Sequence, residues 1–269
     1  MKSFKQFLSE ETFKAPLPKT REETEKILLD FEDCIEGGID NCEIVDTAFG
    51  PAVNVIGDVN IKALSLEYIP VRFHRVKGKF DCSFNKELKS VEGAPVWTKG
   101  NADFQHCESL TNLDYLGLMG FQSEGVVIFD SCFELERVCD TGKMIYSHGY
   151  IFSRCPKLTS LKGIGTNFGN LSIAGTAIHS LHDFHKHVKF SKNAGPGAGD
   201  LVLFNGSTHQ EITECSLNLM LVEGLKSITY NEKIAPWFKI IEDGINNGLD
   251  VMDVQDQLLD AGYTDQAKI

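Results

Sequence analysis

Residues 100–161 hold three stretches that align without a gap: GNADFQHCESLTNL (100–113), GVVIFDSCFELERV (125–138) and HGYIFSRCPKLTSL (148–161). Each has Phe at its fifth position (Phe104, Phe129, Phe152) and Cys at its eighth (Cys107, Cys132, Cys155). Leu follows at the eleventh, and Leu or Val at the fourteenth. Such self-similarity marks a repeat architecture. GKFDCSFNKELKSV (78–91) fits with Asn85 in the Cys slot, and GNLSIAGTAIHSL (169–181) fits with Thr176 there. GDVNIKALSLEYI (57–69) is a weaker copy with Leu64 in the slot, and GDLVLFNGS (199–207) starts like a seventh and drifts.

The slot residues are 21, 22, 25, 23 and 21 positions apart. That period is too short for a pair of helices and suits one strand with a return arm. Positions three and five are mostly apolar, the alternation of a strand with one buried face. At the slot the strand turns, and buried backbone groups there need partners. Asn supplies them with its amide, while Cys and Thr fill the same small space. One such unit cannot bury its own apolar face, so neighbours must stack. The prediction is an α/β solenoid of short parallel strands. Its structural ladder is Asn85, Cys107, Cys132, Cys155 and Thr176, with Cys82 in the core. Strand residues between the buried ones should form an exposed ribbon. It begins with Asn60 and Lys62 and ends with Ser172 and Ala174. Asp81, Ser83, Asp103, Gln105, Ile128, Asp130, Ile151 and Ser153 lie between and form a candidate partner-binding face. An acidic edge beside an apolar pair suits a protein with a basic or amphipathic surface.

These repeats resemble the leucine-rich-repeat family, whose core pattern is LxLxx(N/C)xxL, over roughly residues 57–181. Phe and Val stand here for many of the family's Leu. The resemblance implies a leucine-rich-repeat-like solenoid. Similar repeats occur in phage proteins with FDCSxNxLxSVEGAP-like segments; Phe80 to Pro95 is the matching stretch.

Both flanks read as helical caps that cover the ends of the stack. Thr20 and Glu23 form a capping box, and Ile27, Leu28, Phe31, Cys34 and Ile35 recur at helical spacing before Gly37-Gly38. Residues 233–247 read as a helix with Pro236 in its first turn. Asp250 caps another, with Val251, Val254, Leu258 and Leu259 on one face and Gly262 ending it. The expected organisation is a leader (1–10), a linker (11–19), an N-terminal helical cap (20–56), a solenoid (57–230) and a C-terminal helical cap (231–269).

The leader, MKSFKQFLSE, sets Phe4, Phe7 and Leu8 at helical spacing among Lys2 and Lys5. It resembles the capsid-targeting peptide of internal head proteins of T-even-type tailed phages. The resemblance implies prohead-protease cleavage at Leu8-Ser9-Glu10, after Glu10. It also implies packaging in the virion head and ejection into the host cytoplasm.

The chain has 269 residues, with 38 acidic against 26 basic side chains and a net charge of −12. A negative field argues against bulk nucleic-acid or anionic-membrane binding. No apolar run reaches the ~18 residues of a membrane span. The eight Cys form no CxxC pair. His179, His182, His185 and His187 crowd together, with Asp183 as the one carboxylate among them, and read as a return loop rather than a metal site. Gly195–Asp200 (GPGAGD) lacks the register of a phosphate loop and reads as an inter-repeat loop. No nucleophile–base set is legible and no cofactor is expected. The expected function is non-enzymatic protein–protein interaction in a phage head protein, with a phage capsid, scaffold or host protein as partner. One alternative is an injected host-takeover or anti-defence inhibitor. Another is an enzyme with its site within 182–215.

Overall fold

The structure, a computed structural model, describes residues 16–140, 146–191, 198–205 and 208–269. Leu8, Ser9 and Glu10 of the leader, residues 11–15 of the linker and Gly195–Gly197 lie outside the described residues. In chain order come α1 (Arg21–Asp30), β1 (Cys42–Thr47), β2 (Gly50–Val55), β3 (Val59–Asn60), β4 (Phe73–Val76) and β5 (Phe80–Asp81). β6 (Trp97–Thr98), β7 (Ala102–Asp103), α2 (Asp114–Met119), β8 (Gln122–Ser123), β9 (Val126–Ile128), β10 (Gly149–Ile151) and β11 (Asn170–Ser172) follow. The chain continues through α3 (Phe184–His187), β12 (Asp200–Val202), β13 (Phe204–Asn205), β14 (Thr208–His209) and β15 (Ser227–Thr229). α4 (Trp237–Asn247) and α5 (Val251–Asp260) close it.

Eight strands stack in one parallel sheet in the order β15-β12-β11-β10-β9-β7-β5-β3, so about seven turns of a solenoid join them. The third-position residues pair rung to rung: Val59, Phe80, Ala102, Val127, Tyr150, Leu171, Leu201 and Ile228. All eight are buried. Each return arm contributes to a second stack, the sheet β1-β2-β4-β6-β8, extended by bridges at Gln122–Tyr146 and Phe168–Phe190. A third row of backbone bonds runs along the slot side, including Leu113 N–H to Val138 (2.8 Å) and Ala177 N–H to Leu158 (2.9 Å).

The interior is filled by repeated apolar residues meeting their own copies. Phe104, Phe129 and Phe152 stack ring on ring at 5.1 and 5.7 Å. Leu88, Leu110, Leu135 and Leu158 are fully buried beneath them. Glycine opens the repeats because rungs approach closely there: a Cβ on Gly125 would sit 2.6 Å from the Asn101 nitrogen.

The N-terminal cap is only partly helical. Thr20 and Glu23 form the reciprocal capping box, but α1 stops at Asp30. A 3₁₀ turn, Glu32–Cys34, then lets Ile35 bridge Val59 antiparallel. The backbone N–H of Glu36 donates to Asp58 at 2.9 Å, so the β3 edge is occupied. The β1–β2 hairpin within 20–56 heads the second sheet. At the other end α4 starts after Pro236, and Asp250 accepts from the Met252 N–H at 2.7 Å to cap α5. Val254 and Leu258 are buried as the spacing predicts, but Leu259 is exposed, so the buried stripe is narrower than expected. No helix of the described residues is long and apolar enough to cross a membrane.

Candidate partner-binding face

Six successive turns leave their strands through a left-handed corner. The seventh-position residues of six successive turns, Ala63, Phe84, His106, Ser131, Arg154 and Gly175, have φ between 55° and 77°. Only one is glycine, so five turns carry a conformation that disfavours side chains. A Cβ at Gly175 would lie 2.5 Å from the Thr208 methyl of β14, which explains glycine in that turn.

The slot residues satisfy what the corner breaks. The Cys107 thiol points to the Cys82 carbonyl (3.5 Å), Cys132 to Phe104 (3.3 Å) and Cys155 to Phe129 (3.0 Å), each a fifth-position carbonyl of the preceding turn. Asn85 does more: it donates to the carbonyls of Ile61 (2.9 Å) and Cys82 (2.8 Å) and accepts from the N–H groups of Leu64 (3.0 Å) and Leu66 (3.1 Å). Leu64 itself is 43% exposed, so the first turn has no slot of its own and borrows that of the second. Thr176 is buried, yet the amide that closes its turn comes from Gln210, whose Oε1 accepts from the Thr176 N–H (2.8 Å) and hydroxyl (2.9 Å). Gln210 was not legible as a ladder residue because it follows the β13–β14 hairpin, outside any repeat. Burial, then the Cys155 hydrogen bond, holds the Cys132 thiol well above its usual pKa, so it stays protonated.

On the outer side, Asp81, Asp103, Gln105, Ile128, Asp130 and Ile151 are half-buried and lie in successive rungs. Ser83 and Ser153, expected on the exposed ribbon, are buried at 1% each. Ser172 and Ala174 are buried too. Small side chains between rungs about 4.8 Å apart are covered by their neighbours. Ser83 bonds Asp81 through both its N–H (3.0 Å) and hydroxyl (2.5 Å), and the Ser153 and Ser172 hydroxyls bond each other at 2.6 Å. Asp103 accepts the Gln105 N–H at 2.9 Å, an Asx-type turn like that of Asp81. Burial, with Asp81 and Asp130 nearby, raises the Asp103 pKa despite that bond. Asp130 is paired with Arg154, whose Nε donates at 3.0 Å. Beside this face, the Phe84 ring, 43% exposed, stacks on His106 at 4.7 Å.

The histidines do not converge. His179 Nδ1 lies 3.0 Å from the Glu211 carbonyl and His182 Nε2 lies 3.8 Å from Asp183, while His185 and His187 belong to α3. Among the described residues no three His, Cys, Asp or Glu side chains are placed to hold a metal ion. No family model matches the chain, and no curated protein or solved structure matches it.

Proposed function

We propose that the chain is a leucine-rich-repeat-like, non-enzymatic protein–protein interaction module of a tailed phage, packaged in the head, trimmed after Glu10 and delivered to the host cytoplasm. The observation that carries the interaction reading is one row of half-buried residues in register, acidic at Asp81 and Asp103 and apolar at Ile128 and Ile151. That mixture suits a partner with a basic, amphipathic surface. The repeat period and the Asn/Cys slot support the leucine-rich-repeat likeness. The leader's resemblance supports the phage assignment.

Two experiments test the two halves. Mass spectrometry of purified virions should find the chain beginning at Glu11; its absence, or an intact Met1, removes the packaging half. Asp103→Lys with Ile128→Asp should abolish capture of a capsid, scaffold or host protein while leaving the circular dichroism spectrum unchanged. Retained capture would remove the face.

A further inference from the structure

A groove runs between α1 and β1, lined by Arg21, Glu25 and Leu29 on one side and Glu43, Ile44 and Asp46 on the other. Leu29 is 57% exposed within it. β1 is the end strand of its sheet. Val53 N–H donates to Arg72 and Val55 accepts from Lys77, so these two residues turn to β4 while Ala52 and Asn54 turn to β1. In an antiparallel pair the facing residues alternate, so the backbone groups of Ile44 and Asp46 point away from β2, into the open.

We propose that the amphipathic segment 1–10 of this same chain occupies the groove. Phe4, Phe7 and Leu8 would cover Leu29 and Ile44, and Lys2 and Lys5 would answer Glu25 and Glu43. Charge and tethering select this occupant. The charges are complementary: Glu25, Glu43 and Asp46 line the groove against one basic residue, Arg21, which is already paired with Asp46, and the basic residues of segment 1–10 are Lys2 and Lys5. The attachment is close: Pro16, the first described residue, lies five positions before Arg21, and Arg21 bonds Asp46 at 3.0 Å on the groove wall. Tethering at that distance gives a high effective concentration. Removal of residues 1–10 therefore uncovers this groove. The inference rests on the groove alone and is independent of the strand face above.

The test is amide hydrogen exchange by NMR on the full chain, compared with Phe4→Asp/Phe7→Asp and separately with Lys2→Glu/Lys5→Glu. Both variants alter only the segment, so the fold is not at stake. The Ile44 and Asp46 amides should exchange roughly tenfold faster in the Phe variant, the factor that a contact of about 1.4 kcal/mol provides, and faster in the Lys variant too. Amides of β9 and β10 should be unchanged. Equal rates in all three proteins would overturn the proposal. So would protection that grows with protein concentration, which would mean a second copy in the groove.

Discussion

Asn85 is the residue on which most of the backbone around the second corner depends. It is fully buried and its amide meets four main-chain groups from two turns. Asn85→Ala leaves several buried groups unpaired and should cost about 3 kcal/mol, against about 1 kcal/mol for Cys107→Ala, which gives up one weak thiol bond. Urea denaturation of the two variants checks the ranking; equal losses would contradict it. Ala63 makes the opposite case. It sits exposed at φ 55° with no side-chain partner to offset the strain. Ala63→Gly should raise stability by about 0.5–1 kcal/mol, the relief of a left-handed residue less the extra entropy of glycine when unfolded. Asp103 ties stability to pH. Its carboxyl pKa is raised in the fold, mainly by burial, so the folded state binds the proton more readily than the unfolded one. Its stabilising contribution is present below the unfolded carboxylate pKa and is lost as pH rises through the higher folded value. Asp103→Asn should therefore be more stable than the parent at pH 7, with the gap closing in acid; a gap that widens in acid would refute this reading. The slot residues were legible because Asn and Cys recur there at one spacing. The left-handed corner was not, because Ala, Phe, His, Ser and Arg share no chemical signature. The burial of Ser83 and Ser153 was hidden for a different reason: a strand pattern tells inside from outside but not how closely the next rung lies.

At the scale of elements, the capping box at Thr20 and the Asp250 cap show how far local chemistry reaches: each marks a helix start seen in the structure. The strands of the second sheet and the eighth rung, β15, carry no such local signature. Ser227–Thr229 has the inward Ile228 but no slot after it, because the chain passes directly into α4. The hairpin β13–β14 replaces the corner of the drifting seventh copy, and Gln210 beyond it restores the missing ladder bond. Turn-by-turn packing makes stability a sum of neighbour contacts. α4 covers the last rung with the buried Phe238 and Ile241. Ile241→Asp should therefore unseat α4 and speed amide exchange in β15 and β12, while β5 and β7 stay protected. Uniform loss of protection along the stack would contradict this nearest-neighbour picture.

For the whole molecule, the repeat alignment implies that residues far apart in sequence are ordered along one axis. Asn60 and Thr229 hold the fourth position of the first and last strands of the parallel sheet, and both are exposed. Seven steps of about 4.8 Å place their backbones about 34 Å apart. Nitroxide labels at Asn60→Cys and Thr229→Cys, in a chain with the half-buried Cys34 and Cys42 changed to Ser, measure that span by pulsed electron–electron resonance. A narrow distribution centred near 34 Å, widened by label length, is the predicted result. A distribution centred below about 20 Å, or one without a defined peak, would mean that the turns do not stack in a row.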